Sequence, residues 1–542
     1  MKYYKILITM CLSAAGLIFA GAAGIRYLTR PVNQKLESML KQITLTELPP
    51  QHTAVSLTDI NTAAILPDIT EYPLCVIGTG DKNAEIISSP EKAGSGTDGW
   101  LIETAQAFNA CGFLTEQNEI MSVSVRCLPS GLAMDYITSG LYIPDAYTPS
   151  NLLWGELAAA DGAVLSTIAE SLVPNTAGIL IPADFPEMSF SEILQACMTN
   201  QLAIGYTYPY TSSAGLNFLL SALSVFDPKD PLSDHAAEMF RKFQASVPFV
   251  CYTTQQMHTA VNHGALNAFV TEYQIYQNDP ALQNAFQFIP FGIRHDNPLY
   301  ATSAADDAEI QVLHAFADYC HQPEQQKKAA EYGFIETGWK SSLPDINAVT
   351  IRDAQKLWKK EKNAGRPTAA VFIADCSGSM NGEPLNRMKT SLLQAAEHIS
   401  NHNYIGLLSY DTQVYLHLPL SEFDLYQRGC FAGAVQNLTA SGETCTYDAV
   451  LQGLHMLLEF QKKIPDVRLM LFVLSDGETN TGYQFSDIQP IVAGLKIPVY
   501  TISYQADLSE LEQLSALNEA ACIHADSQDV IYQMKALFNA QM

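Results

Sequence analysis

The feature that most constrains the fold is an apolar run, Val371–Ala374, that ends abruptly in oxygen-bearing side chains. Asp375, Ser377 and Ser379 follow the run, each separated from the next by one residue. An apolar run without polar alternation is typical of a parallel strand covered on both faces. The segment Pro384–Ser400 that comes next has helical spacing. The sequence therefore predicts a strand, a polar loop and a helix in succession.

Two later stretches place further oxygens at junctions of the same kind. Thr444 lies in the polar stretch Ser441–Ala449, and Asp476 follows the apolar run Leu469–Leu474. In an open parallel sheet, ligands gather at the carboxyl ends of the strands. We therefore expect three loops to converge on one point.

The converging side chains would form a hard oxygen site, because they supply carboxylates and hydroxyls and neither thiolate nor imidazole. The predicted metal ligands are Asp375, Ser377, Ser379, Thr444 and Asp476. Such a set suits Mg²⁺, Mn²⁺ or Ca²⁺ rather than zinc, and we expect Mg²⁺. An octahedral ion with so few protein ligands keeps an open position that a partner's Asp or Glu carboxylate can occupy. The site is therefore predicted to dock a protein partner.

These residues resemble the von Willebrand factor A (VWA) domain and its metal-ion-dependent adhesion site, whose pattern is D-x-S-x-S, then a Thr, then an Asp. The resemblance covers about residues 368–542 and implies a Rossmann-like fold, with hydroxyls that touch the metal and aspartates that often act through water. Glu443, where a glycine is common, and Cys376 depart from the family. The alternative is that these residues cap helices, which does not explain a match across three loops.

The chain is long and acidic. Its 542 residues are too many for one core and indicate roughly two to four domains. Lys plus Arg number 30 against 56 Asp plus Glu, which gives a net charge of −26 and a pI near 4.7. Phosphate binding needs a basic surface, so the composition argues against a nucleic-acid partner. Cysteines, scattered through apolar runs without a C-x-x-C pair, favour buried free thiols over a disulfide framework.

Residues 1–30 contain a candidate transmembrane helix. Ile6–Ile25 is a stretch of twenty uncharged residues, with basic residues on both sides. This length spans a bilayer as a helix. A cleaved signal peptide is the competing interpretation, but the stretch exceeds the ~7–15 apolar residues usual for a signal. We therefore favour an uncleaved single-pass anchor in the cell membrane, with the C-terminal body extracytoplasmic.

The rest of the chain divides by composition. Residues 31–72 are predicted to be a spacer, and 73–340 alternate short apolar runs with helical segments, which indicates an α/β domain. Residues 341–367 contain a basic segment interpreted as a solvated linker helix, and 368–542 form the VWA-like domain.

Several stretches of the α/β domain resemble type 2 periplasmic solute-binding proteins, the capture components of ABC importers. They include Ile87–Ala93, Pro129–Ala133, Pro144–Ser150, Tyr210–Gly215 and Phe269–Tyr273. The resemblance implies two lobes closing on a ligand, with crossover strands near Thr176–Pro182 and Phe288–Ile293. It also places six residues on the cleft loops: Ser88, Ser89, Ser130, Thr148, Ser212 and Ser213.

Hydroxyls and helix N-termini suit oxyanions or other small polar solutes, so an anionic or polar ligand is expected. Helix capping is the alternative role of Ser88–Glu91 and Ser212–Ser213. Ser89 and Lys92 satisfy S-x-x-K, but no S-D-N or K-T-G element accompanies them, so an enzyme is not expected.

The sequence thus predicts a bacterial, membrane-anchored binding protein that recognises a protein partner through a divalent metal and carries a cleft for a small solute. The alternative is a solute receptor or capture subunit of an ABC-type transporter or sensor, with the VWA-like domain as coupling module.

Overall fold

A computed structural model of the chain describes residues 32–54, 66–248, 250–251, 257, 261, 266–343, 346–477, 479–504, 509–518, 522–524, 533–534, 537–538 and 541–542. The contacts divide the chain into two compact units. The first, called here the seven-stranded unit, lies within Met1–Leu57 and Arg366–Asp526, and the second, the two-sheet unit, within Thr58–Gly365 and Ser527–Met542. None of the described helices is long and apolar enough to cross a membrane, and Ile6–Ile25 lies outside the described residues.

Strands are distributed over both units. In chain order they are β1 (Leu45–Glu47), β2 (Leu74–Val76), β3 (Lys82–Ser88), β4 (Met121–Cys127), β5 (Ala146–Thr148), β6 (Leu165–Ala169), β7 (Thr176–Pro182), β8 (Ile204–Gly205), β9 (Ala268–Glu272), β10 (Phe286–Arg294), β11 (Leu299–Thr302), β12 (Thr368–Asp375), β13 (Tyr404–Tyr410), β14 (Val414–Glu422), β15 (Arg468–Ser475), β16 (Val499–Ser503) and β17 (Cys522–His524).

Helices alternate with the strands, as expected for an α/β fold. They are α1 (Pro90–Ala93), α2 (Trp100–Cys111), α3 (Ser130–Ser139), α4 (Leu152–Ala160), α5 (Phe190–Met198), α6 (Ser213–Phe226), α7 (Asp234–Ser246), α8 (Tyr273–Asn278), α9 (Pro280–Ala285), α10 (Asp307–Cys320), α11 (Pro323–Glu331), α12 (Ala348–Glu361), α13 (Glu383–Ala396), α14 (Leu425–Gln436), α15 (Thr446–Gln461), α16 (Phe485–Leu495) and α17 (Ser509–Ala516).

The seven-stranded unit is a mostly parallel sheet in the order β1-β14-β13-β12-β15-β16-β17. Its centre is β12, whose residues are all buried and whose neighbours β13 and β15 are both parallel to it. Helix α15 packs beneath the central strands through Ala449, Val450 and Leu454, which belong to the same apolar core as Val371 and Ile373. The predicted buried strand, loop and helix are therefore present, with the strand beginning three residues earlier than the apolar run.

The predicted spacer 31–72 differs from the structure at its start. Residues 32–40 are helical, and Leu36 and Met39 are buried in the core of the seven-stranded unit. Strand β1 then pairs in parallel with β14. The segment has a mixed composition because its helix buries only one face and its strand lies at the edge of the sheet, so few of its residues are buried.

The two-sheet unit contains a sheet in the order β2-β4-β3-β5-β11-β6 and a second sheet in the order β10-β7-β9-β8. The chain passes between these sheets twice, through residues 170–175 and 295–298. The predicted crossover segments, Thr176–Pro182 and Phe288–Ile293, are instead antiparallel strands within the second sheet. The two crossings therefore lie next to the predicted segments, just before β7 and just after β10.

The predicted solvated linker helix is also corrected. Helix α12 buries Ile351, Ala354 and Trp358 in the core of the two-sheet unit, and the Trp358 indole donates to the Tyr206 hydroxyl at 2.8 Å. Its lysines Lys356 and Lys360 are exposed. The apolar residues recur at helical spacing on one face, and Lys356 and Lys360 occupy the other face.

Candidate functional site

The first candidate site lies at the carboxyl ends of β12 and β15. These strands are parallel neighbours, with Ala374 opposite Leu474. Asp375 directly follows Ala374 at the end of β12, and Asp476 comes two residues after Leu474, just beyond β15, so both aspartates leave the same edge of the sheet on neighbouring strands. The sheet register explains how two aspartates separated by a hundred residues reach the same place.

Asp375 is held in a fully buried position by three donors. Its Oδ1 accepts from the Ser377 backbone N–H at 2.8 Å. Its Oδ2 accepts from the Ser475 hydroxyl at 2.5 Å and from the Tyr410 hydroxyl at 3.0 Å. The residue is 0% exposed, so this carboxylate has one fixed orientation.

Hydroxyl groups link the two loops. Ser377 Oγ lies 3.0 Å from Ser379 Oγ, and Ser379 Oγ donates to Asp476 Oδ1 at 2.8 Å. The four predicted ligands Asp375, Ser377, Ser379 and Asp476 thus form one connected cluster. We refer to these four together with Thr444 as the oxygen cluster.

The loop that carries Thr444 is hydrogen-bonded to the loops that carry the other four residues. Gly378 N–H donates to Gly442 O at 3.1 Å, which joins the Thr444 loop to the β12 loop. On the other side, Thr444 N–H donates to Asn480 Oδ1 at 2.8 Å. The Thr444 backbone is therefore tied to the loops after both β12 and β15. Asn480 was not singled out from the sequence, where nothing distinguishes it from an ordinary loop residue.

For both aspartates, burial makes the ionised form of the carboxyl group less favourable. Burial raises the pKa of Asp375, although hydrogen bonds from Ser475 and Ser377 oppose the shift. Burial also raises the pKa of Asp476, against the Ser379 hydrogen bond, and the charge of Asp375 adds to the increase. Two carboxylates that are costly to ionise next to each other are stabilised by a cation between them.

The two departures from the family pattern have different positions. Glu443 is exposed at the rim, where its charge is solvated. Cys376 is buried, and burial raises the pKa of its thiol to about 12. Among the described residues, no three His, Cys, Asp or Glu side chains group as a metal site. The oxygen cluster instead combines two carboxylates with hydroxyls.

The second candidate site is a cleft in the two-sheet unit, with a cavity of about 330 Å³. Of the six predicted cleft residues, Ser130, Ser212 and Ser213 line this cavity. The other three, Ser88, Ser89 and Thr148, are buried behind its wall.

The cleft hydroxyls are largely occupied with one another. Ser213 Oγ accepts from the Trp154 indole at 2.9 Å and donates to Ser130 Oγ at 3.2 Å. Ser212 caps α6 by accepting from Gly215 N–H. The capping alternative is therefore confirmed for Ser212, whereas Ser89 makes no capping hydrogen bond to α1.

The S-x-x-K pair is brought together by the first turn of α1. Lys92 Nζ donates to Ser89 Oγ at 2.5 Å and to Thr148 O at 2.9 Å. Burial lowers the pKa of Lys92, although the neighbouring Glu91 carboxylate opposes the shift. Ser89 is itself buried and does not line the cavity, so the pair supports the wall of the cleft.

Carboxylates in the cleft were missed by the sequence analysis. Glu91, Asp98 and Glu272 all line the cavity. Glu91 was interpreted as part of a capping box, and Asp98 lies in a Gly- and Ser-rich insertion. Glu91 and Asp98 are far from Glu272 in the sequence, and the fold brings these residues together with Thr271 around the same cavity.

Comparison with protein families identifies both regions. Residues 370–538 match the von Willebrand factor type A domain, and residues 93–335 match the bacterial extracellular solute-binding protein family. Both families are typically non-catalytic binding modules.

Curated relatives match about a third of the chain. The inter-alpha-trypsin inhibitor heavy chain H3 of Bos taurus is 26% identical over 187 residues, which cover 32% of this chain and 20% of that protein. Heavy chain H4 of Homo sapiens is 25% identical over 181 residues, or 30% of this chain and 19% of that protein. The chain spans about a fifth of the length of these relatives.

Solved structures each match part of the chain. A periplasmic thiamin binding protein is 12% identical, with a TM-score of 0.40, and the match covers 53% of this chain and 99% of that one. A von Willebrand factor type A protein from Catenulispora acidiphila is 16% identical, with a TM-score of 0.30, over 32% of this chain and 42% of that one. The chain thus contains one region that matches the bacterial extracellular solute-binding protein family and, after it, one region that matches the VWA domain.

Proposed function

We propose that this chain is a membrane-anchored, extracytoplasmic binding protein that recognises an acidic group of a protein partner through a divalent metal in its VWA domain. The observation that carries the proposal is the connected oxygen cluster, in which Asp375, Ser377, Ser379 and Asp476 meet on two adjacent loops. Thr444 joins them through the backbone of a third loop.

The residues fit a hard cation. Their donors are carboxylate and hydroxyl oxygens, which Mg²⁺ and Mn²⁺ prefer. Ser377, Ser379 and Thr444 would hold the ion, and Asp375 and Asp476 would orient it. A bound Mg²⁺ would supply a positive centre able to accept a partner's carboxylate. Tyr410 and Ser475 keep the Asp375 carboxylate aimed in one direction, so the protein reorganises little on binding.

Partner selection follows from charge. The rim residue Glu443 is exposed and negative, and the chain carries a net charge of −26. An acidic partner is therefore repelled in the absence of the cation and attracted to it when it is bound. We therefore expect the acidic partner to bind only in the presence of the metal, at every partner concentration tested.

The metal is tested by thermal unfolding with Mg²⁺ or EDTA, comparing Asp476→Asn with Asp466→Asn. Asp466 is exposed in the same unit and lies outside the cluster. Mg²⁺ at a hundredfold excess over its dissociation constant should stabilise the parent and Asp466→Asn by about 2.7 kcal/mol. Asp476→Asn should show little stabilisation. An equal Mg²⁺ effect in both variants would contradict the assignment.

The partner chemistry is tested by selecting peptides from a display library on the chain in Mg²⁺. We expect the selected peptides to share an Asp or Glu and to dissociate in EDTA. Changing that acid to its amide should abolish binding. Peptides that lack an acid, or that survive EDTA, would refute carboxylate recognition.

The membrane anchor is proposed from the apolar stretch Ile6–Ile25. Alkaline extraction of membranes should leave the full chain in the pellet and release a variant that lacks residues 2–30. Release of both forms would contradict an anchor.

A second function, solute capture for a transporter or sensor, is favoured by the cavity of about 330 Å³ in the two-sheet unit. All four tryptophans of the chain, at positions 100, 154, 339 and 358, belong to this unit. A solute that binds the cleft should therefore raise the unfolding temperature reported by tryptophan fluorescence, and should do so in EDTA. The metal-dependent function predicts a transition seen by circular dichroism that responds to Mg²⁺ instead.

A further inference from the structure

The walls of the cleft in the two-sheet unit have a strongly one-sided charge. Glu91, Asp98 and Glu272 line the cavity, and its described lining includes no Lys, Arg or His. The nearest ammonium is Lys92, which is buried beneath the wall 3.5 Å from Glu91. One ammonium against three carboxylates leaves an excess of negative charge facing the ligand space.

His295 does not cancel this excess. Its Nε2 lies 3.0 Å from the Asn151 amide nitrogen and 3.1 Å from that of Asn217, and both amide nitrogens can only donate. Nε2 is therefore an acceptor, so the proton is on Nδ1, which lies 2.7 Å from Glu272. His295 therefore donates one hydrogen bond to Glu272 and lies outside the described lining of the cavity.

The hydroxyls of the cleft offer lone pairs rather than protons. The Trp154 indole donates to Ser213, and Ser213 donates to Ser130. Ser130 Oγ is within 3.5 Å of Ser150 Oγ, and the Ser150 side chain bonds to Glu91. Ser213 thus donates its proton to Ser130, and the Ser150 side chain bonds to a carboxylate, so the oxygens left for a ligand are mainly acceptors.

Thr271 gives an independent indication that a polar ligand enters. It lines the cavity and is only 2% exposed, and its hydroxyl has no hydrogen-bond partner. A buried hydroxyl without a partner is costly in a folded protein unless a water or a ligand satisfies it. The cavity is the available source of that partner.

Asp98 is the carboxylate best placed to gain from a positive ligand. Its Oδ1 accepts from the Gln274 amide at 3.0 Å. Burial raises its pKa, against that hydrogen bond, and the nearby charge of Glu91 raises it further. Repulsion between two carboxylates that share a cavity is relieved when a cation binds between them.

We propose that the cleft binds a small organic cation with N–H donors, such as a protonated amine, rather than an oxyanion, which was one of the two ligand classes expected from its serines. This inference rests on the proposed solute-capture function and specifies the ligand class. The feature that opposes it is the N-terminus of α6 behind Ser212, which is suited to an anion, so the test includes anions.

The test is an unfolding series in EDTA followed by tryptophan fluorescence, because Trp154 adjoins the cleft. The probes are 1,4-diaminobutane, the opposite-charge four-carbon analogue succinate, and sulfate. We expect 1,4-diaminobutane alone to raise the unfolding temperature. Asp98→Asn should weaken its affinity about tenfold through loss of one partly buried charge. Thr271→Val should also weaken it without unfolding the protein.

The control is Asp184→Asn, an exposed carboxylate of the same unit, which should leave the affinity unchanged. Amine binding that is equally insensitive to Asp98→Asn, Thr271→Val and Asp184→Asn would show adsorption to an acidic surface and overturn the proposal. Stabilisation by succinate or sulfate would overturn the amine class while retaining the solute-capture function. No stabilisation by any of the probes would overturn both.

Discussion

Replacing Tyr410 with Phe isolates the hydrogen bonds that hold the Asp375 carboxylate. Tyr410 is buried and its hydroxyl donates to Asp375 Oδ2 at 3.0 Å. The same hydroxyl accepts from Thr446 Oγ1 at 3.1 Å. The Phe side chain keeps the ring and its packing, so the change removes these two hydrogen bonds and little else.

The expected loss follows from the charge on the acceptor. A hydrogen bond to an ionised group contributes about 1.5–3 kcal/mol to stability. We therefore expect the unfolding free energy of the seven-stranded unit to fall by about 2 kcal/mol in EDTA. Since the hydrogen bond favours the ionised carboxylate, removing it raises the pKa of Asp375 further. The loss should be largest where Asp375 is ionised and should shrink as the pH falls through its pKa.

Urea unfolding followed by circular dichroism measures this loss, with the tryptophan signal of the two-sheet unit as an internal reference. Tyr415→Phe is the matched control, because its hydroxyl donates to Asp411 at 3.3 Å and is only partly buried. We expect a change of less than about 1 kcal/mol there. A Tyr410→Phe protein as stable as the parent in EDTA, or a loss that persists unchanged at acidic pH, would refute the reasoning.

Four further changes test other parts of the structure. Gly442 has φ 72°, and a Cβ there would lie 2.6 Å from Thr412 Oγ1. Gly442→Ala should therefore lower the free energy of unfolding by about 1–3 kcal/mol and weaken the stabilisation by Mg²⁺. An unchanged response to Mg²⁺ would contradict this. Burial lowers the pKa of His417 to about 4, so the seven-stranded unit should lose stability as the pH falls from 6.5 toward 4. In melts followed by circular dichroism, His417→Gln should make the unfolding temperature less dependent on pH in this range. Burial raises the pKa of Asp145 to about 6, so the two-sheet unit should lose stability as the pH rises from about 4 through 6. Asp145→Asn should remove this pH dependence of the unfolding temperature in melts detected by tryptophan fluorescence. His295→Leu should lower the stability of the two-sheet unit by roughly 1.5–3 kcal/mol, because a buried carboxylate loses its donor; an unchanged tryptophan-detected melt would refute this.

The oxygen cluster could be predicted from the sequence because each of its residues directly follows or borders a recognisable element. Asp375 ends the buried strand β12, and Asp476 follows β15, so the parallel register alone brings them together. Asn480 could not be predicted in this way. It acts through a side-chain hydrogen bond to the Thr444 backbone, and nothing in its sequence neighbourhood specifies that contact.

The cleft was harder to predict, because its chemistry depends on contacts between distant segments. The serine pattern suggested an oxyanion or another polar solute, yet Ser213 donates its proton to Ser130. Asp98 and Glu272 are 174 positions apart in the chain but line the same cavity. Residue types show which groups are available, but the hydrogen-bond directions decide whether a site presents donors or acceptors.

The two candidate sites have the same arrangement of charges and hydroxyl groups. In each, buried or partly buried carboxylates lie next to hydroxyls whose protons are given to those carboxylates, as Ser475 donates to Asp375 and Ser150 bonds to Glu91. Such a site becomes more stable when a cation enters and less stable when an anion does. The chain's net charge of −26 extends the same preference to long range, since an acidic surface concentrates cations around it. Under the proposed functions, the VWA domain is expected to meet an acidic partner only after a metal has reversed its local charge, whereas the cleft is expected to satisfy its carboxylates with the ligand itself.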